Sequence, residues 1–210
     1  MSKILVYGAG GLGKGIVELL EAINSVSSNP WDIIGFVDDK AMGNINGYEV
    51  WGTTEDLLRT NEPISVVLAL GNPEFKKKTY EKLKHNTKIQ YPNIIHPAVE
   101  NSRFNIIGYG NVISKGVSMS TNITLENFNL IHYNCSIGHD VSLDNYNSVF
   151  PITSLSGYVT LKEGVEVGAN STILPSIEIK SNVRIGAGSV VTKDVIENIT
   201  VAGVPAKKLI

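Results

Sequence analysis

Aliphatic side chains recur at every sixth position through the second half of the chain. An α-helix needs apolar residues about every 3.6 positions and an isolated strand needs strict alternation, so neither element explains a period of six. A fixed short period predicts a solenoid, in which each repeat buries its apolar edge against the next one. A sandwich of evenly spaced ordinary strands is the alternative. The fifteen positions in register are Ile107, Ile113, Met119, Leu125, Ile131, Ile137, Leu143, Val149, Leu155, Leu161, Val167, Ile173, Ile179, Ile185 and Val191.

The N-terminal part of the chain has a different pattern, in which short apolar runs alternate with segments of helical periodicity. This alternation is typical of a small α/β domain with a parallel sheet. The predicted elements are strands at 3–7, 32–37, 64–70 and 89–95, a helix that follows a glycine-rich turn and extends to position 23, and a lysine-rich amphipathic helix at 75–84.

The glycine-rich turn has the spacing G-x-G-x-x-G at Gly8, Gly10 and Gly13. Between a strand and a helix, such glycines let the backbone approach a phosphate, and the helix N-terminus favours its negative charge. The next strand ends in Asp38 and Asp39, where a nucleotide-binding fold places an acid near a ribose. Three interpretations stay open: a dinucleotide cofactor, a tight turn without a ligand, and a nucleotide-linked sugar. We favour the last because a solenoid, and no dehydrogenase catalytic domain, follows.

Composition argues against several classes of function. The formal net charge is −2, from 18 basic and 20 acidic residues, which is not typical of a nucleic-acid-binding protein. No apolar run reaches the length of a membrane-spanning helix, and the N-terminus lacks the features of a secretory signal. The single cysteine, Cys135, lies two positions before a repeat position, which favours core packing over nucleophilic chemistry. We therefore expect a soluble, cytoplasmic protein.

Several short motifs together connect both parts of the chain to one family. They are GAGGLGKGIVELL at the N-terminus, then FVDD and ALGN, IIHP at the junction, and GVPAK after the repeats. This combination resembles the sugar O- and N-acyltransferases of the sialic acid O-acetyltransferase type, which include acetyltransferases of bacterial UDP-4-amino sugars. The resemblance covers the chain from Ile4 to Lys207.

The resemblance implies a fold, a reaction and an assembly. The fold would be an α/β Rossmann-like, nucleotide-sugar-binding domain over residues 1–97 and a left-handed parallel β-helix acyltransferase domain over 98–210, with three hexapeptides per coil. The reaction would transfer an acetyl group from acetyl-CoA to an amino or hydroxyl group of a nucleotide-activated amino sugar, in bacterial surface glycan synthesis. The family's enzymes are trimers, so we expect a homotrimer, and we expect no metal.

The resemblance also indicates the catalytic residues. A gap-free match with the family's histidine segment falls on His139, the expected general base, and on Asp140, which would orient the ring. Choosing His132 instead requires an insertion of seven residues before the next Ser-Gly pair. Gly157, 18 residues after His139, would lie one coil above it at about 5 Å, and the family's oxyanion amide falls there. Neighbouring side chains on a flat strand point to opposite faces, so His139 and Asp140 can pair only at a corner of the coil.

The acceptor site implied by the family lies in the N-terminal domain. Gly10, Gly11 and Leu12 would line the diphosphate or the sugar, with Asp38 and Asp39 near the nucleoside. Many members of the family have histidine where this chain has Leu12.

The coenzyme A site implied by the family would include Ser148, Ala169 and Ala187, the last two one coil apart. Many members have histidine where this chain has Ser148.

Two alternatives from other classes of protein stay open. A gamma-type carbonic anhydrase needs three histidine ligands for zinc, which His132 and His139 alone do not supply. A non-catalytic scaffold or nucleotide-sensing protein would keep the repeats but would bind no coenzyme A.

Overall fold

The computed structural model describes residues 2–196 and 198–209. The N-terminal elements are β1 (Ser2–Tyr7), α1 (Gly11–Asn24), β2 (Trp31–Val37), β3 (Asn44–Ile45), β4 (Tyr48–Gly52), α2 (Thr54–Leu58), β5 (Ile64–Leu68), α3 (Pro73–Leu83) and β6 (Ile89–Gln90). Six strands form one sheet in the order β3-β4-β2-β1-β5-β6, and every pair is parallel except β3 with β4. The predicted α/β domain with a parallel sheet is therefore confirmed.

Burial and capping explain the main elements of this domain. Every residue of β5 is buried, as expected for an interior parallel strand with both faces covered. Helix α1 buries one apolar face that includes Ile16 and Leu20. Helix α3 begins at Pro73, a favourable first helical residue, and the side chain of Asn72 caps it by accepting the Phe75 N–H.

Two features of the domain differ from the sequence-based prediction. The segment 89–95 is not one strand: β6 pairs with β5, whereas β7 (Ile94–Ile95) pairs with a strand of the solenoid. Pro92 lies between them and cannot donate a hydrogen bond to a sheet, which interrupts the strand. The sequence analysis also did not predict the hairpin of β3 and β4 or helix α2. Asn46 and Gly47, both with positive φ, form the two-residue turn typical of such hairpins.

The repeats form a solenoid of very short strands that wind left-handed, as the resemblance implies. Each strand except the last pairs in parallel with the strand one coil away; Ile137, for example, is the partner of Leu155. The last strand runs antiparallel to the strand before it. Its strands are β8 (Ile106–Ile107), β9 (Val112–Ile113), β10 (Ser118–Met119), β11 (Thr124–Leu125), β12 (Leu130–Ile131), β13 (Ser136–Ile137), β14 (Ser142–Leu143), β15 (Ser148–Val149), β16 (Ser154–Leu155), β17 (Thr160–Leu161), β18 (Glu166–Val167), β19 (Thr172–Ile173), β20 (Glu178–Ile179), β21 (Arg184–Ile185), β22 (Val190–Val191), β23 (Thr200–Ala202) and β24 (Lys207–Lys208).

The coils stack into three sheets, which form the faces of a triangular prism. Face 1 contains β10, β13, β16, β19 and β22, and face 2 contains β8, β11, β14, β17 and β20. Face 3 contains β7, β9, β12, β15, β18, β21, β23 and β24. The predicted aliphatic positions point inward into one continuous core, which rules out the sandwich alternative. Cys135 is 1% exposed in this core, and burial raises its pKa, so its assignment to packing is confirmed.

The corners of the coils stack into three edges, and most corners contain a residue with positive φ. Edge A lies between faces 3 and 1, edge B between faces 1 and 2, and edge C between faces 2 and 3. The positive-φ residues are Gly116, Asn134, Ile152, Asn170 and Gly188 in edge A, Asn122, Asp140, Tyr158 and Ser176 in edge B, and Gly110, Phe128, Tyr146, Gly164, Asn182 and Asn198 in edge C.

The N-terminal domain packs on edge C and on part of face 3. Phe128 and Tyr146 of edge C are buried in one cluster with the apolar face of α3 and the sheet. The fully buried Lys76 of α3 reaches the same edge, where its Nζ donates to the Phe128 carbonyl oxygen at 2.8 Å. Edges A and B remain outside this contact except near the N-terminus of α1, where Gly15 approaches Tyr133. The domain limit at residue 97 stays a prediction, and β7, which precedes it, already belongs to face 3.

Candidate active site

Edge B brings together the three residues that the sequence singles out for catalysis. His139 Nδ1 and Asp140 Oδ2 are 2.8 Å apart, with the side chains 52% and 32% exposed. Asp140 has φ 57°, and this left-handed turn directs its side chain to the same side as that of His139. The carboxylate occupies the Nδ1 side of the imidazole, so Nε2 is the nitrogen left to accept a proton.

Gly157 lies directly against this imidazole, one coil further along edge B. A Cβ added to Gly157 would lie 2.7 Å from both Nε2 and Cε1 of His139. Any side chain at this position would displace the ring. Within residues 2–196 and 198–209, the Gly157 N–H makes no hydrogen bond, so it is available to an incoming oxygen atom.

Two residues that the sequence analysis missed complete the surroundings of Asp140. The hydrogen bond from His139 is the largest influence that holds the pKa of Asp140 below its usual value, and bonds from Asn122 and Tyr158 act in the same direction. The Asn122 amide donates to Asp140 Oδ1 at 3.3 Å. Both residues are 18 positions from Asp140, one on each side, so the coil length was the signal that could have found them.

His132 lies apart from this site, on face 3 beside edge A. Its Nδ1 accepts the N–H of Tyr133 at 2.9 Å, and its ring lies near those of Tyr133 and Phe150. Burial lowers the pKa of His132. Of the two histidines in the repeats, only His139 has a carboxylate partner among the described residues.

The glycine turn leaves open space at the N-terminus of α1. Gly10 is the residue before the helix, and a Cβ at Gly10 or Gly11 would meet no atom within 4 Å. Gly13 is required for packing, because its Cβ would lie 1.9 Å from the Gly8 carbonyl oxygen. Leu12 is half-buried and packs against the apolar cluster of α1 and the sheet.

Asp38 and Asp39 both make hydrogen bonds within the domain. Asp38 accepts the N–H of Ala9, in the glycine turn, at 2.9 Å and the N–H of Ala41 at 2.9 Å. Burial opposes these backbone bonds, and the net effect lowers the pKa of Asp38. Both oxygens of Asp39 are bonded to Thr54. Asp38 therefore lies beside the glycine turn as expected, whereas the oxygens of Asp39 hold the start of α2.

A groove of about 800 Å³ opens beside the glycine turn, between the ends of β1 and β2 and helix α3. Gly8, Asp38 and Lys40 line one side, and Phe75 and Lys78 of α3 line the other. The Phe75 ring is 61% exposed. The groove thus combines an exposed aromatic ring with charges of both signs, from four lysines and four carboxylates.

The residues expected to hold coenzyme A do not lie together: Ser148 is on face 3, whereas Ala169 and Ala187 are on edge A. The Ser148 side chain is fully buried beneath α3, where Lys76 Nζ donates to its hydroxyl at 3.2 Å, so it is not accessible to a ligand. This corrects the expectation for Ser148. Ala169 and Ala187 are adjacent on consecutive coils of edge A, where Gly188 N donates to the Ala169 carbonyl oxygen. Within one chain, face 1 lies between these two alanines and His139.

Within residues 2–196 and 198–209, no group of three or more His, Cys, Asp and Glu side chains is placed to hold a metal ion. No helix in the same ranges is both long enough and apolar enough to cross a membrane.

Comparison with known proteins supports the family resemblance. The family described as PglD N-terminal domain matches residues 3–83, and the bacterial transferase hexapeptide family (six repeats) matches residues 158–193. No curated protein matches the chain.

Solved structures match along the whole chain. The acetyltransferase domain of PglB from Neisseria gonorrhoeae FA1090 is 30% identical, with 100% of each chain covered and a TM-score of 0.93. The same domain in complex with acetyl coenzyme A is 31% identical, with 99% of this chain and 98% of that chain covered and a TM-score of 0.92. A histidine-to-asparagine variant of perosamine N-acetyltransferase from Caulobacter crescentus, in complex with CoA and GDP-perosamine, is 24% identical. The match covers 100% of this chain and 97% of that chain, with a TM-score of 0.91, so the two proteins share the fold.

A hexapeptide-repeat solenoid joined to a glycine-turn α/β domain, as in these matches, is the architecture of a hexapeptide-repeat acyltransferase. The chain belongs to the sugar acyltransferase family that combines a PglD-type N-terminal domain with a left-handed β-helix.

Proposed function

We propose that this protein transfers the acetyl group of acetyl-CoA to an amino or hydroxyl group of a nucleotide-activated sugar, with His139 as general base. The observation that carries the proposal is the His139–Asp140 pair, whose free Nε2 lies over Gly157 at an exposed corner. The acetyl coenzyme A bound to the PglB domain supports the choice of donor. We place the reaction in the synthesis of bacterial surface glycans.

The chemistry follows from the atoms at this corner. His139 Nε2 takes the proton of the acceptor as its nitrogen or oxygen attacks the thioester carbonyl carbon. Asp140 stabilises the imidazolium that forms, through Nδ1. The Gly157 N–H donates to the developing oxyanion. When the C–S bond breaks, the thiolate leaves and recovers a proton from the imidazolium, so the base is restored.

The N-terminal domain is the proposed site of the acceptor nucleotide. The open backbone at Gly10 and Gly11, at the N-terminus of α1, suits a diphosphate. The neighbouring groove offers the Phe75 ring for stacking on a base, and Asp38 lines the same groove. Leu12 can offer the sugar only apolar contact. Titration calorimetry should give binding of nucleotide-linked sugars and none of NAD or NADP; the opposite ranking would overturn this part of the proposal.

A homotrimer would complete the site. Outward side chains on the strands of face 1 are uncharged, whereas face 2 presents ion pairs such as Lys162 with Glu178. If the three copies of face 1 surround a common axis, edge B of one chain meets edge A of the next. Ala169 and Ala187 of a neighbour would then lie beside His139. Light scattering at micromolar concentration should give three times the 22.7 kDa chain mass, and a monomer mass would contradict the trimer.

A direct assay tests the reaction. Purified protein, acetyl-CoA and a panel of nucleotide-linked amino sugars should release free thiol, and mass spectrometry of the product distinguishes N- from O-acetylation. His139→Ala should lower turnover by about 10²–10⁴-fold with little change in thermal stability. The matched control, His132→Ala, should remain near the wild type. Loss of activity in the control but not in His139→Ala would assign the base to His132.

A further inference from the structure

Tyr158 contacts the His139–Asp140 pair in three ways. Its backbone N–H donates to the His139 carbonyl oxygen at 3.0 Å. Its ring stands edge-on to the imidazole, with centroids 5.0 Å apart and planes at 88°. Its hydroxyl interacts with the Asp140 carboxylate and lowers the pKa of that group.

The backbone at this position does not favour a tyrosine. Tyr158 has φ 62°, in the left-handed region, where asparagine and glycine are favoured and an aromatic residue is strained. The equivalent corner one coil below Asp140 has Asn122. The Tyr158 side chain is 56% exposed, so core packing does not account for it.

Together these contacts lead to a role. We propose that Tyr158 is a positioning residue, which holds the His139 imidazole and the Asp140 carboxylate in register with Gly157. The Asn122 amide donates to the carboxylate from the coil below, and the Tyr158 hydroxyl interacts with it from the coil above. The Tyr158 ring, edge-on to the imidazole, limits rotation of that ring. Gly157 leaves the space that the ring and the imidazole share. This role rests on the proposed function of His139.

The hydroxyl is tested by Tyr158→Phe, which keeps the ring. Loss of the hydroxyl's interaction with the carboxylate should lower kcat by about 3–10-fold, with KM for both substrates unchanged. The same substitution in an Asp140→Asn background should cause no further loss, because the hydroxyl acts through the carboxylate. An equal loss in both backgrounds, or none in the wild type, would overturn the role.

The ring and the backbone are tested by Tyr158→Asn. Asparagine suits positive φ, so Tm should stay equal or rise, while kcat should fall further than in Tyr158→Phe. Ser176→Asn is the matched control, since Ser176 has the same φ of 62° one coil above and does not contact the pair. It should raise or keep Tm and leave kcat unchanged. Light scattering should give one mass for all three proteins. Full activity of Tyr158→Asn would overturn the role.

A measurement without substrates separates this inference from the proposed reaction. In Tyr158→Phe, carbon-13 NMR of the Asp140 carboxyl should give a pKa above that of the wild type, because one donor that lowers it is lost. If His139→Ala retains activity but this pKa rises, the proposed reaction fails and the contact stands. An unchanged Asp140 pKa would contradict the Tyr158 contact itself.

Discussion

Replacing Lys76 by methionine tests how the N-terminal domain is held on the solenoid. Lys76 is 2% exposed, and its Nζ lies within hydrogen-bonding distance of the carbonyl oxygens of Phe128, Asn147 and Tyr146. Burial lowers the pKa of this ammonium group to about 7. The Asn147 oxygen also accepts a backbone bond from Leu130, whereas those of Phe128 and Tyr146 have no other donor among the described residues.

Lys76→Met changes the free energy of unfolding in two opposing ways, so a measurement at a single pH would not separate them. Methionine would leave two buried carbonyl oxygens without a donor, at about 1–3 kcal/mol each. It would also remove the free-energy cost of burying the ammonium group, which is of similar size at pH 7 because the pKa falls from 10.5 to about 7. The dependence on pH isolates the second term.

The sign follows from proton binding. Between pH of about 7 and 10.5 the unfolded chain keeps the Lys76 proton and the folded chain releases it, so stability rises with pH. From pH 7 to pH 9 the free energy of unfolding of the wild type should rise by about 2 kcal/mol relative to Lys76→Met. Below pH 7 both the folded and the unfolded chain bind the Lys76 proton. The difference in the free energy of unfolding between wild type and Lys76→Met should therefore become constant.

Urea unfolding at pH 7, 8 and 9, at one fixed protein concentration, measures this difference. Lys77→Met is the matched control: Lys77 is the next residue of α3, but it is half-exposed and forms an ion pair with Glu163 on the surface. It should keep the pH dependence of the wild type. Parallel curves for wild type and Lys76→Met would show that the folded state does not depress the pKa of Lys76, and would refute the reasoning.

Three further predictions concern the site. Gly157→Ala should displace the His139 ring, because the added Cβ lies 2.7 Å from it, and should lower kcat by about 10–100-fold while circular dichroism stays unchanged; wild-type kcat would contradict the close contact. Asp140→Asn should lower the plateau of kcat, since the imidazolium that forms during the reaction loses its carboxylate; a plateau equal to that of the wild type would contradict this role. Finally, two inactive variants, His139→Ala and Ala187→Trp, should regain about a quarter of wild-type activity when unfolded together and refolded as mixed trimers. No recovery would place both residues in a site made by one chain.

The solenoid could be predicted from the sequence because each repeat contacts only the repeats next to it along the chain. An inward aliphatic residue at every sixth position admits one way to bury the core, and parallel stacking then places residues 18 apart in contact. The closeness of His139 and Gly157 follows from this spacing together with the three hexapeptides per coil that the family resemblance implies. The same arithmetic applied to Asp140 would have indicated Asn122 and Tyr158.

Other parts of the site depend on contacts between elements that are distant in the chain. Ser148 occupies an ordinary outward repeat position, and only the packing of α3 on edge C buries it beneath Lys76. Asp39 follows a strand as a ribose ligand would, yet its oxygens bond to Thr54.

The sequence by itself therefore determined the solenoid, since a repeat depends on local periodicity. With the coil length that the family resemblance implies, it also determined the vertical alignment of His139 with Gly157. Only the tertiary structure decided which polar side chains remain open to a ligand. A side chain's accessibility depends on what packs over it, and the elements that cover edge C come from residues about 50 to 70 positions earlier in the chain.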